Sequence, residues 1–81
     1  MESNVRLRQV FGKVLQKLRN ERGVSQQEVA DYCSLERAYI SRLERGLVQP
    51  TITTIFKLAE FLDLEPGEFI TRVYTALKRK K

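Results

Sequence analysis

The sequence predicts an all-α protein, a compact five-helix bundle formed as one domain over residues 1–81. Three observations predict it. Apolar residues return at three- and four-residue intervals through most of the chain. No stretch alternates apolar and polar residues as a half-buried strand would. Residues that start and stop helices punctuate the chain between the apolar runs. A chain of 81 residues is long enough for one modest core.

Ser3 or Asn4 can cap a first helix over about Val5–Arg22. Leu7, Val10, Phe11, Val14, Leu15 and Leu18 fall at i, i+3, i+4, i+7, i+8 and i+11, one face of a helix. Gly23 supplies the left-handed stop. Ser25-Gln26-Gln27-Glu28 then matches a capping box, in which the serine oxygen accepts from the Glu28 amide and the Glu28 carboxylate accepts from the Ser25 amide. The second helix carries a narrow apolar stripe of Val29, Ala30 and Cys33, with small Ala30 allowing a close crossing. Cys33 is read as a small core residue, and Ser34 falls where the turn needs a left-handed residue.

The third helix is expected from Glu36 to about Arg45, closed by Gly46. Steps of ~100° per residue put Tyr39, Ile40 and Leu43 on one arc. Arg37, Ala38, Ser41, Arg42 and Arg45 fill the opposite arc, and Glu44 falls on the border. One side of this helix thus suits a core and the other offers hydrogen-bond donors to an outside partner. Leu47–Pro50 reads as a loop, after which Thr51 caps a fourth helix. Ile52, Ile55, Phe56, Leu58, Ala59 and Leu62 cover its broad apolar face, while Phe61 lies outside it and is assigned to a subunit contact. Pro66 suits the first turn of a fifth helix over about residues 66–78. There Phe69, Ile70, Val73, Tyr74, Ala76 and Leu77 form a stripe roughly 160° wide. Phe69 is expected to plug the core. Ile70, Val73, Tyr74 and Leu77 exceed what that core needs, and the excess is read as a dimer interface.

Composition narrows the function classes. No apolar run approaches the ~20 residues that span a bilayer, and Met1–Val10 lacks a signal peptide's apolar region, so the expected compartment is the cytoplasm. One cysteine and no histidine exclude an intrachain disulfide and argue against a metal site. No glycine-rich phosphate loop is present and the carboxylates are scattered, which argues against an enzyme; no cofactor is expected. The net charge is +5, but residues 1–65 hold ten basic and nine acidic side chains, whereas residues 66–81 hold five and one. The surplus sits in a tail that reads as solvated, so charge alone does not identify a polyanionic partner.

With its helices placed, the sequence resembles the Xre-type helix-turn-helix family, that of the lambdoid phage Cro and repressor proteins. The resemblance runs from about Phe11 to Phe69. It rests on Phe11-Gly12, Leu15, Leu18-Arg19, Gly23, Ser25-Gln26-Gln27-Glu28-Val29-Ala30, Tyr39-Ile40-Ser41, Leu43-Glu44-Arg45-Gly46, Pro50-Thr51 and Leu58-Ala59. It implies a lambda-repressor-like fold with the helix-turn-helix at about residues 25–45 and the third helix in the major groove. By position, it implies base reading by Arg37, Ala38, Ser41 and Arg42. Phosphate contacts fall to Gln26, which also braces the recognition helix, and to Arg45 and the loop through Thr51. Arg19 and Glu44 match the family's interhelical ion pair. Three positions depart from the pattern: Glu36 where better capping residues are common, Val14 where charge is frequent, and Ser34 in place of glycine or asparagine.

The expected function is that of a transcriptional regulator binding double-stranded DNA sequence-specifically, as a homodimer on a palindromic operator. With no room for a sensor domain, no small-molecule ligand is expected. The segment Glu36-Arg37-Ala38-Tyr39-Ile40-Ser41 is also close to that of restriction-modification controller proteins, although other small repressors share it. The alternative is an antitoxin-like module whose fifth helix masks a partner protein.

Overall fold

A computed structural model describes residues 2–79, and among these the secondary structure is entirely helical. The elements are α1 (Glu2–Glu21), α2 (Gln26–Cys33), α3 (Arg37–Glu44), α4 (Ile52–Phe61) and α5 (Pro66–Lys78). α1 packs on α3 and α5, α2 on α3 and α4, and α4 on α5. The order closes a ring of contacts around one core.

Four of the five helices end in the same way. A residue with positive φ follows the last turn: Gly23 (68°), Ser34 (57°), Gly46 (75°) and Asp63 (60°). In each case the next amide reaches back five residues: Val24 N to Arg19 O, Leu35 N to Ala30 O, Leu47 N to Arg42 O, Leu64 N to Ala59 O, all within 2.8–3.3 Å. This is the Schellman closure, which satisfies orphan carbonyls and reverses the chain in two residues. Ser34 and Asp63 hold a left-handed backbone that costs a β-carbon-bearing residue about 1–2 kcal/mol. Short polar side chains tolerate it best. The starts are equally specified. Ser25 and Glu28 form the reciprocal capping box at 3.0 and 2.8 Å, and Thr51 Oγ1 accepts from the Thr54 amide at 3.1 Å.

The core is drawn from all five helices: Phe11, Leu15 and Leu18; Val29, Ala30 and Cys33; Ile40 and Leu43; Leu58, Ala59 and Leu62; Phe69 and Val73. Phe69 is fully buried and tilts against Phe11 with ring centroids 5.3 Å apart. Such aromatic pairs contribute ~0.5–1.5 kcal/mol beyond area burial.

Three expectations are corrected. α1 begins at Glu2, so Ser3 and Asn4 lie inside the helix instead of capping it; no proline or glycine in this stretch interrupts propagation of the helix toward its start. The buried face of α4 is turned by about 60° from the expected one. Ile52 and Phe56 point outward at 68% and 55% exposure, whereas Phe61 is half-buried against the core, its ring 5.0 Å from that of Tyr32. Phe61 therefore takes part in the protomer's own packing. In α5, Val73 is likewise a core residue at 5% exposure, and the outward edge consists of Ile70 and Tyr74, with Leu77 half-buried beside them.

Candidate nucleic-acid interface

α2 and α3 are joined by Ser34, Leu35 and Glu36. The buried stripe of α3, Ile40 and Leu43, seats it on the core, with Tyr39 half-buried beside them. The opposite arc faces outward: Arg37, Ala38 and Arg45 are exposed, and Ser41 and Arg42 are half-buried. Ser41 and Arg45 are brought together one turn apart, with Arg45 Nε donating to Ser41 Oγ at 3.3 Å. The serine proton remains available to an outside acceptor. Glu36 precedes the helix without bonding to it through its side chain, so its carboxylate stands free at the edge of the arc.

The angle at which α3 is presented is fixed by a polar node on its inner border. Glu44 is 7% exposed, buried where a wheel drawn from sequence placed it on the margin. A buried carboxylate is tolerable only when its oxygens are bonded. Arg19 Nε donates to Glu44 Oε2 at 2.6 Å and Arg19 Nη2 to Oε1 at 3.0 Å, the paired fork geometry that arginine offers a carboxylate. Gln26 Nε2 donates to the same Oε1 at 3.0 Å, and Arg19 Nη1 donates to Val24 O at 2.8 Å. One carboxylate thus ties α3 to α1 and to the start of α2. Hydrogen bonding to Glu44 holds the Arg19 guanidinium above its ordinary pKa against the opposing effect of burial, so this guanidinium keeps its charge.

The node leaves Gln26 half-buried, with a second amide hydrogen not used by Glu44. At the far end of the 45–51 connection, Thr51 both accepts from the Thr54 amide and donates its hydroxyl to Thr54 Oγ1 at 3.1 Å. The cap therefore uses the Thr51 hydroxyl proton, and what α4 offers outward there is its free first-turn amides.

Two supporting features were not deduced from sequence. Gly12 lies where α1 crosses the end of α3 so closely that a Cβ would sit 2.4 Å from Leu43 O and 2.6 Å from Glu44 O. Gly46 abuts the same helix, where a Cβ would lie 2.9 Å from Gln9 Cα. Arg8 Nε donates to Gly46 O at 3.4 Å. α1 is thus the backstop of α3. A glycine within a long helical pattern is the signal that could have marked this crossing.

Fold and site define a small helix-turn-helix protein whose third helix carries a donor-bearing outer arc. The chain matches the helix-turn-helix model HTH_3 over residues 15–69 and belongs to that family. The HTH-type transcriptional regulator y4dJ of Sinorhizobium fredii is 35% identical over 80% of this chain and 84% of its own length. The control protein C.BamHI of Bacillus amyloliquefaciens is 32% identical over 86% and 85%. Among solved structures, the tetramer of the restriction-modification controller protein C.Esp1396I in complex with its natural 35 base-pair operator superposes with a TM-score of 0.79. The two are 27% identical, and the match covers 88% of this chain and 93% of that one. The family and these relatives are transcriptional regulators, not enzymes, and nothing in them supports the partner-masking alternative. No helix among the described residues is long and apolar enough to cross a membrane.

Proposed function

We propose that this chain regulates transcription by binding operator DNA as a homodimer, its two copies of α3 reading half-sites about one helical turn apart on a palindromic operator. The observation that carries the proposal is the donor-bearing arc of α3, held at a fixed angle by the Arg19–Glu44–Gln26 node. Arg37 and Arg42 are the direct readers, since each guanidinium can donate twice to guanine O6 and N7. Ala38 offers a methyl to thymine and Ser41 a single hydroxyl. Gln26, through its second amide hydrogen, and Arg45 meet phosphates, as do the free amides behind Thr51.

The homodimer rests on an outward apolar surface that no element among the described residues covers. α5 contributes Ile70 and Tyr74, 44% and 58% exposed, with Leu77 at their edge; α4 adds Ile52 and Phe56. Half-buried Ile55 shares a groove with Ile70, Val73 and Tyr74 and links the two ridges. Apolar side chains this large, grouped on neighbouring helices, mark an interaction surface. C.BamHI and C.Esp1396I further support the reading as a restriction-modification controller. Acting on genomic operators places the protein in the cytoplasm.

Selection of bound sequences from a random duplex pool tests the proposal. A symmetric enriched motif, with half-sites about ten base pairs apart, is expected. Recovery of no motif, with affinity lost in moderate salt, would reduce the interface to non-specific attraction.

A further inference from the structure

α1 carries Gln9 and Lys13 one turn apart, and these two line a recess together with Glu44 and Arg45 at the end of α3. The recess is electropositive for a structural reason. Its one carboxylate, Glu44, is already bonded by Arg19 and Gln26 from its other side. Lys13 has no carboxylate of the described residues within ion-pair distance, whereas Lys17, one turn further on, is paired with Glu21 at 3.6 Å. Arg45 belongs to the recess and to the outer arc of α3 at once, because its Nε bonds Ser41 while its terminal nitrogens have no hydrogen-bond partner among the described residues.

A recognition helix lies in a groove about 12 Å wide and is flanked on both sides by sugar-phosphate backbone. Two cations and an amide clustered at the end of that helix, with the local carboxylate neutralised, suit an anionic oxygen of a phosphodiester. We propose that Gln9, Lys13 and Arg45 together hold one operator phosphate beyond the base pairs that α3 reads, which makes α1 part of the DNA interface. This rests on the DNA-binding reading above. The contact locks α1 to the backbone and so fixes how far α3 can roll in the groove.

The test compares wild type, Lys13→Gln and the control Lys17→Gln on a duplex chosen by selection and on an unrelated one, between about 50 and 200 mM salt. Lys13→Gln is expected to lower the slope of log K against log salt by about 0.9 for each bound protomer, on both duplexes alike. Its melting temperature stays at the wild-type value, Lys13→Arg restores the slope, and Lys17→Gln leaves it unchanged. A slope unaltered by Lys13→Gln overturns the proposal, including the case where only the melting temperature falls. That second pattern makes Lys13 a partner of the α3 dipole and nothing more. If wild type itself selects no motif, the DNA-binding reading fails first; if it does select one and only the slope result is absent, this contact alone is wrong.

Discussion

Replacing Arg19 by methionine removes the charge from the node and keeps most of the aliphatic volume. The substitution deletes the donors at 2.6 and 3.0 Å from Glu44 and the one at 2.8 Å from Val24 O, leaving the carboxylate with Gln26 alone. The Glu44 side chain is 2% exposed and that of Arg19 12%. Breaking a buried pair from one side costs ~3–5 kcal/mol. Water reaches the Arg19 end first, so the lower figure, about 3 kcal/mol, applies here. A domain of this size loses ~4–8 °C of Tm per kcal/mol, so Arg19→Met melts roughly 12–24 °C below wild type. That is a large share of the ~4–12 kcal/mol available to 81 residues. The double variant Arg19→Met/Glu44→Leu puts apolar volume where the pair was and returns to near wild-type stability, a coupling of about 3 kcal/mol or more. Urea or thermal unfolding followed by circular dichroism measures all four corners of the cycle. A loss below about 1 kcal/mol for Arg19→Met, the value of an exposed pair, or strict additivity in the double variant, refutes the reasoning.

Arg42→Ala is expected to relax selectivity at particular base positions by about 1–3 kcal/mol, while Gln26→Ala weakens all duplexes evenly; competition binding across single-base variants separates the two. Gly12→Ala drives a methyl into the carbonyls of Leu43 and Glu44, so we expect a cost of about 1–3 kcal/mol in unfolding experiments together with weaker operator binding. Phe56→Glu combined with Tyr74→Glu should leave the fold intact and shift sedimentation from dimer to monomer; an unchanged dimer removes this surface from the interface. Burial pushes the Cys33 thiol above its ordinary pKa, so its neutral form is favoured in the folded state. Stability from this group is complete below the unfolded thiol's pKa and falls as pH rises through that of the folded thiol. Alkylation of native protein at neutral pH should accordingly be much slower than of unfolded chain.

Local rules made much of this legible. Gly23, the Ser25–Glu28 box, Gly46, Thr51 and Pro66 each act within a few residues, and the helices fall within about three residues of where those signals put them. The arc of α3 was legible for a related reason: eight residues with two buried apolar positions leave little choice of rotation. α4 was less constrained, because an apolar arc about 160° wide can be turned by half its width without burying a charge. Only packing against α2 and α5 decides that Phe61 turns inward and Phe56 outward. Gly12 was legible as a family residue but not as a contact, since its function lies in atoms that belong to another helix.

The repeated helix endings described above have a kinetic meaning. Three of the four connections, residues 22–25, 34–36 and 62–65, are short and closed by backbone hydrogen bonds, and the fourth, 45–51, is pinned at both ends by Gly46 and Thr51. A body with so few hinges moves largely as one unit. Little ordering has to happen when it meets its partner, so encounter is limited by diffusion and orientation. On the proposed reading such a molecule is expected to act as a gauge: the occupancy of its site follows how many copies are present, and its response time follows synthesis and dilution.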